Sequence, residues 1–289
     1  MSKPLGLIGF GLVGQALAEC LQRRGYALRV SDPAPGTVVA AARLGVAVVD
    51  SGVEVAREAG LVLLSLPDSE VVGQVLWQEG VAEALVPGAV VLDTTTGSPG
   101  AAADNARRLA RRQVHFVDVT LSGSSAEIAR GEATALIGAE SGPHDYDPVV
   151  AAFAGRVMYL GRPGAGCLAK LVTNHVMGLN RAALAEGLAL GLKAGLPADT
   201  LLEVLRESAA YSRVLDLKGR RMIEGDYAPA SRLRQHAKDV RLILALAAEV
   251  GARCPLEETH AALLAEAVSH GWGELDNAAL IKAYLEPET

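Results

Sequence analysis

Leu5-Gly6-Leu7-Ile8-Gly9-Phe10-Gly11-Leu12-Val13-Gly14 is the stretch on which the fold turns. Residues 5–9 are apolar and short enough for a buried strand, and a helical pattern follows over 15–24. Between them stands Gly-x-Gly-x-x-Gly, in which each glycine has its own physical task. One permits a tight turn, one lets backbone approach a pyrophosphate, and one lets the helix pack closely on the strand. The helix start then offers unpaired N–H groups and a positive dipole end to phosphates. Gly9, Phe10, Gly11, Leu12, Val13 and Gly14 are therefore expected to hold a dinucleotide. Alone the motif is weak; its place between strand and helix gives it weight.

The pattern continues outward from this start. Apolar runs at 27–31, 46–49, 61–66, 89–92, 114–117 and 133–137 alternate with helix-like stretches, which implies βαβ units and a parallel sheet. Asp32 ends the second run, 18 residues after Gly14. A carboxylate there accepts hydrogen bonds from an adenosine ribose and repels a 2′-phosphate. No Lys or Arg lies between Val30 and Ala42 to neutralise such a phosphate, so NAD is expected, with NADP possible. The alternative, that Asp32 only starts the Ser31-Asp32-Pro33 turn, carries less weight beside the glycine loop.

After Gly161-Arg162-Pro163-Gly164 the chain reads as helix, over 167–194, 200–208, 231–250 and 256–270. The expectation is an α/β Rossmann-type N-terminal domain (1–163) and an all-α C-terminal domain (164–289), joined by a long interdomain helix. A chain of 289 residues, half of them hydrophobic, can bury cores for both.

Composition excludes several classes. The net charge is −6 and basic residues are scattered, so no stripe for nucleic acid exists. No apolar run approaches the ~20 residues that span a bilayer, and Met1-Ser2-Lys3-Pro4 leads straight into the first strand pattern, so no signal peptide is expected. Cys20, Cys167 and Cys254 are far apart and odd in number, with no CxxC and no HxxxH. Neither disulfide nor metal is expected, and the setting is expected to be cytoplasmic.

Five further segments make the reading specific. Leu64-Ser65-Leu66-Pro67 closes the fourth strand, and Asp93-Thr94-Thr95-Thr96-Gly97-Ser98-Pro99 follows the fifth. Asp118-Val119-Thr120-Leu121-Ser122-Gly123-Ser124 follows the sixth. Gly164-Ala165-Gly166-Cys167-Leu168-Ala169-Lys170-Leu171-Val172-Thr173-Asn174 opens the long helix, and Lys238-Asp239-Val240-Arg241-Leu242 lies in a later one. Lys170 and Asn174 are four apart and share one helix face. Lys170 stands in a largely apolar helix, where a plain solvated charge is less common.

In this order, over nearly the whole length, the segments resemble the β-hydroxyacid dehydrogenase family, which includes 3-hydroxyisobutyrate dehydrogenase and tartronate semialdehyde reductase. The resemblance implies that Leu66, Pro67 and Thr96 lie beside the cofactor and that Lys238 reaches over it. It implies that Ser122, Gly123 and Ser124 bind the substrate carboxylate, small residues there admitting an anion to backbone N–H groups. It makes Lys170 the general acid–base and Asn174 its orienting partner. Partial desolvation or a neighbouring cation brings a lysine toward neutrality, where it works in both directions. Thr120 stands where the family usually has Pro, and Ser124 where it usually has Gly.

The implied reaction moves a hydride between nicotinamide and a small 3-hydroxy acid or its semialdehyde. Glycerate/tartronate semialdehyde and 3-hydroxyisobutyrate lead, with succinic semialdehyde or a sugar acid such as threonate as alternatives. 6-Phosphogluconate dehydrogenases resemble the chain but usually carry a His where Thr173 stands; here His175 falls one place past Asn174. Imine reductases generally replace the Lys. A dinucleotide-binding sensor without turnover would have no use for Lys170. A homodimer or homotetramer is expected.

Overall fold

A computed structural model describes residues 4–285; Met1–Lys3, on which the expectation of no signal peptide falls, lie outside the described residues. The chain divides into two compact units, up to Lys170 and from Leu171. The break falls inside the long helix, Ala165–Lys193. It lies a few residues past the expected 163/164 boundary, because the first turns of that helix are bonded to the sheet.

The first unit is built on eight strands: β1 (Leu5–Ile8), β2 (Leu28–Ser31), β3 (Ala47–Val48), β4 (Leu61–Leu64), β5 (Val90–Asp93), β6 (His115–Ser122), β7 (Ala133–Ile137) and β8 (Ala154–Tyr159). Their order is β3-β2-β1-β4-β5-β6-β7-β8, parallel throughout except for the β6–β7 pair. The chain leaves β1 toward β2 on one side and returns to β4 on the other. This is the topological switch point, where open α/β sheets bind ligands at the carboxyl ends of their strands.

Helices cover both faces of the sheet. Leu7, Val30, Leu63 and Leu92 pack into one core with the Leu12–Arg23 helix, while Ile8, Val62, Leu64 and Val91 pack into another. Alternate residues of one strand thus feed opposite cores, which is why these strands read as unbroken apolar runs.

Two elements differ from the sequence reading. β6 extends to Ser122, so Asp118–Leu121 are buried strand residues and only the end of that segment is loop. β8 was not anticipated, because it is an edge strand whose Val157 and Met158 are partly exposed, with no inside–outside alternation to reveal it.

The second unit is helical: the rest of the long helix, then Ala198–Arg206, Arg220–Glu224, Leu233–Val250 and Pro255–Ser269, with shorter turns between and after. The Arg220–Glu224 turn and the segment over 277–285 were not foreseen, being too short for a helical period. Among the described residues no helix is long and apolar enough to cross a membrane.

Candidate functional site

The glycine loop has the geometry its spacing implies. Gly9 has φ +95°, and a Cβ on it would lie 2.2 Å from Ser65 O, inside any permitted contact. A Cβ on Gly14 would lie 2.2 Å from Gly9 O, so strand and helix meet here only because both residues are glycine. Gly11 differs: a Cβ there would meet nothing within 4 Å. It is the N-cap of the Leu12–Arg23 helix and has no side chain to offer the first-turn N–H groups. Open space beside uncapped donors suits a pyrophosphate.

Asp32 does start the turn foreseen for it, and it makes a second bond that the sequence did not suggest. Its Oδ1 accepts the Ala34 N–H (2.8 Å), closing the turn, and its Oδ2 accepts the Phe10 N–H (2.6 Å), tying β2 to the glycine loop. Each carboxylate oxygen has a further lone pair for a ribose hydroxyl.

Beside this loop, the segments after β4 and β5 are laced together. Thr94 donates to Leu64 O (2.8 Å), Leu66 N–H donates to Thr95 Oγ1 (3.1 Å), and Ser98 N–H donates to Ser69 Oγ (2.7 Å). A Cβ on Gly97 would overlap Ser69 Oγ at 2.1 Å. Leu66, Pro67 and Thr96 are thus held on two segments bonded to each other. Thr95 and Ser69, unremarked in the sequence, supply the bonds.

Asp93 and Asp118 are direct neighbours across the β5–β6 ladder and both are buried. Burial, with the Asp118 charge adding to it, pushes the Asp93 carboxyl up to about 7 despite a hydrogen bond from Thr95 N–H (3.0 Å). Asp118 instead receives two backbone donors from the start of the long helix, Gly164 N–H (2.8 Å) and Cys167 N–H (3.0 Å). The Cys167 thiol is raised by burial first and then by Asp118 and Asp93, so it is an inert packing group.

The expected substrate segment is only partly available. Ser122 ends β6, and Gly123 turns the chain with φ +151°. Ser124 is an N-cap in a capping box: its N–H (2.7 Å) and its hydroxyl (2.9 Å) both donate to Glu127 Oε2, while Glu127 N–H donates to Ser124 Oγ (3.2 Å). The donors expected to greet a substrate carboxylate at Ser124 already hold one. The S-x-x-E spacing of Ser124 and Glu127 is the local signal for this box.

Lys170 is half-buried on the long helix, in its second turn. In the second unit, Asn174 is 3 % exposed, and its Nδ2 donates to Asp239 Oδ2 (2.9 Å). The other oxygen of Asp239 lies 2.9 Å from Lys238 Nζ. One carboxylate thus joins Asn174 and Lys238, two residues read separately from the sequence. With its amide so oriented, Asn174 Oδ1 is left buried and without a hydrogen-bond partner. His175, the next residue, faces Glu257 at 3.0 Å instead.

The matches to known proteins agree with this geometry. Residues 4–161 match the family described as the NAD binding domain of 6-phosphogluconate dehydrogenase. Residues 164–284 match that described as NAD-binding of NADP-dependent 3-hydroxyisobutyrate dehydrogenase. L-threonate dehydrogenase of Cupriavidus necator is 32% identical, covering 98% of this chain and 97% of that protein. 2-Hydroxy-3-oxopropionate reductase of Escherichia coli is 26% identical, covering 96% of each. Among solved structures, 3-hydroxyisobutyrate dehydrogenase from Salmonella typhimurium superposes with a TM-score of 0.87 at 27% identity, covering 97% of this chain and 99% of that one. A glycine loop built for a dinucleotide, a helix bearing Lys170 and Asn174, and full-length relatives lead to one conclusion: the chain belongs to the β-hydroxyacid dehydrogenase family and is an oxidoreductase with a nicotinamide dinucleotide cofactor.

Proposed function

We propose that the chain interconverts a small hydroxy acid and its oxo form, with Lys170 as general acid–base and Asn174 as its orienting partner. A bound nicotinamide would supply or accept the hydride. Lys170 takes the hydroxyl proton during oxidation and returns one during reduction. The observation that carries this reading is the amide of Asn174. Asp239 orients it so that Oδ1 is a buried acceptor with no partner. Such an atom costs roughly 1–3 kcal/mol, which a substrate hydroxyl arriving there would recover.

Ser122 and Gly123 are the proposed carboxylate contacts, with Ser124 available only if Glu127 releases it. Thr96 and Lys238 are the further residues proposed to contact a bound cofactor. Asp32 and the absence of Lys and Arg between Val30 and Ala42 support NAD over NADP. Polyhydroxylated acids of the threonate and glycerate kind lead the substrate classes: the hydroxyls at 122, 124 and 125 and the L-threonate dehydrogenase relative both favour them. A homodimer or homotetramer is proposed from the exposed Val172 and Val176 on the long helix; a monodisperse monomer by light scattering would refute it. Three free cysteines fit a reducing cytoplasm.

The test is the absorbance of reduced nicotinamide with NAD or NADP and a panel holding L-threonate, glycerate, 3-hydroxyisobutyrate and 4-hydroxybutyrate. Turnover of one class, lowered about 10²- to 10⁴-fold in Lys170→Ala with cofactor binding retained, supports the reading. A Lys170→Ala enzyme with wild-type turnover refutes it. NAD binding with no turnover of any hydroxy acid or oxo acid would favour a sensor.

A further inference from the structure

Lys170 owes its place to the turn of helix before it, and that turn is gripped by two buried side chains of β6. Asp118 and Thr120 are both 0 % exposed. They are two apart on the strand and so point to the same face. Asp118 accepts Gly164 N–H on Oδ1 and Cys167 N–H on Oδ2, at 2.8 and 3.0 Å. Thr120 Oγ1 donates to Gly166 O at 2.8 Å, closer than its other acceptor, Leu136 O, at 3.4 Å. The strand thus holds the helix start by two N–H groups and one C=O.

The approach is possible only because glycines line it. A Cβ on Gly138 would lie 2.1 Å from Asp118 Oδ1. On Gly166 it would lie 2.4 Å from Leu136 O and 2.8 Å from Asp118 Oδ2. On Gly164 (φ +88°) it would lie 2.4 Å from Pro99 O. Gly138 and Gly166 are therefore clearance for the Asp118–Thr120 grip, while Gly164 clears the Pro99 carbonyl beside it.

We propose that Asp118 and Thr120 are positioning residues for Lys170, setting where its ammonium stands. This rests on the acid–base reading of Lys170. Lys170 follows Gly166 by four residues, one turn and about 6 Å further along the same side of the helix. A shift or rotation of the first turn passes to Lys170 undiminished, since the helix between is regular. Misplacing a reacting group by about 1 Å costs on the order of 10²-fold in rate. Thr120 is the finer control, because its hydroxyl fixes the carbonyl of the residue directly beneath Lys170.

Thr120→Val keeps the shape and removes the hydroxyl; Thr120→Ser keeps the hydroxyl; Asp118→Asn leaves one acceptor where two N–H groups need one each. The assays use the substrate found in the panel above, with NADH binding by fluorescence and melting temperature measured alongside. In Thr120→Val, kcat is expected to fall roughly 10-fold with KM and NADH affinity within about twofold, and Thr120→Ser to restore most of kcat. Asp118→Asn is expected to lose more. Wild-type kcat in Thr120→Val overturns the proposal, as does a Thr120→Ser enzyme equally impaired.

A readout free of turnover guards against an unfound substrate. The acetylation rate of Lys170 against pH, followed by mass spectrometry, is expected to shift in Thr120→Val while those of Lys193 and Lys282 do not. An unchanged Lys170 profile also overturns the proposal. Lys170→Ala run in parallel separates the two readings. Full turnover in that variant sinks the acid–base role, whereas an inactive Lys170→Ala beside a wild-type Thr120→Val sinks positioning alone.

Discussion

Asp93 makes the first unit's stability depend on pH in the direction opposite to most carboxylates. Unfolded, its carboxyl titrates near 3.8; folded, burial and the neighbouring Asp118 push it up to about 7. Between those values the folded chain binds more protons than the unfolded one. The Asp93 contribution is therefore greatest below the unfolded value, falls as pH rises through the window, and levels off above about 7. Each unit of separation corresponds to about 1.4 kcal/mol, so three units set a ceiling of about 4 kcal/mol.

Asp93→Asn keeps a neutral polar side chain and an acceptor for Thr95 N–H while removing the titration. Between pH 5 and 8 the variant should gain about 3 kcal/mol relative to the parent. The assay is urea unfolding in a Trp272→Phe background, where Trp77 is the remaining tryptophan and reports on the unit that holds Asp93. Carbon NMR of the Asp93 carboxyl, with a midpoint near neutrality, checks the cause directly. A parent–variant gap that does not change with pH, or a carboxyl midpoint near 4, would refute the reasoning.

Gly14→Ala places a Cβ 2.2 Å from Gly9 O and should cost roughly 1–3 kcal/mol while weakening NADH binding at least 10-fold, read by melting and fluorescence titration. Unchanged binding would show that the loop does not hold the pyrophosphate. Asp32→Ala removes the acceptor of Phe10 N–H and should lower NAD affinity and narrow any preference over NADP; a preference that stays the same assigns the choice elsewhere. Glu127→Ala should act in two directions. Losing the capping box costs about 1 kcal/mol, yet freeing the Ser124 N–H and hydroxyl should lower KM for an anionic substrate severalfold. A KM that is unchanged or raised would remove Ser124 from the substrate site.

How much was legible in the chain follows from which interactions are local. The glycine loop could be read because its demands, a positive φ at Gly9 and close approach at Gly14, are met by glycine and little else. The strands of the first unit could be read because helices cover both faces, leaving continuous apolar runs. Lys170 and Asn174 could be read as sharing a face because helical spacing is a local property. β8 could not, since an edge strand carries no buried periodicity.

The pairings were decided by tertiary structure alone. Asp93 and Asp118 are 25 residues apart in sequence and adjacent only because β5 and β6 pair in that register. Asp118 meets Gly164 and Cys167, and Asp239 meets Asn174, across separations of 46, 49 and 65 residues. Each of these carboxyl groups is buried, and a buried carboxyl must find donors or keep its proton. Sequence names the residue types that can do either. Only the folded chain determines that Asp118 finds backbone donors, Asp239 finds an amide and a lysine, and the Asp93 carboxyl is pushed up to about 7.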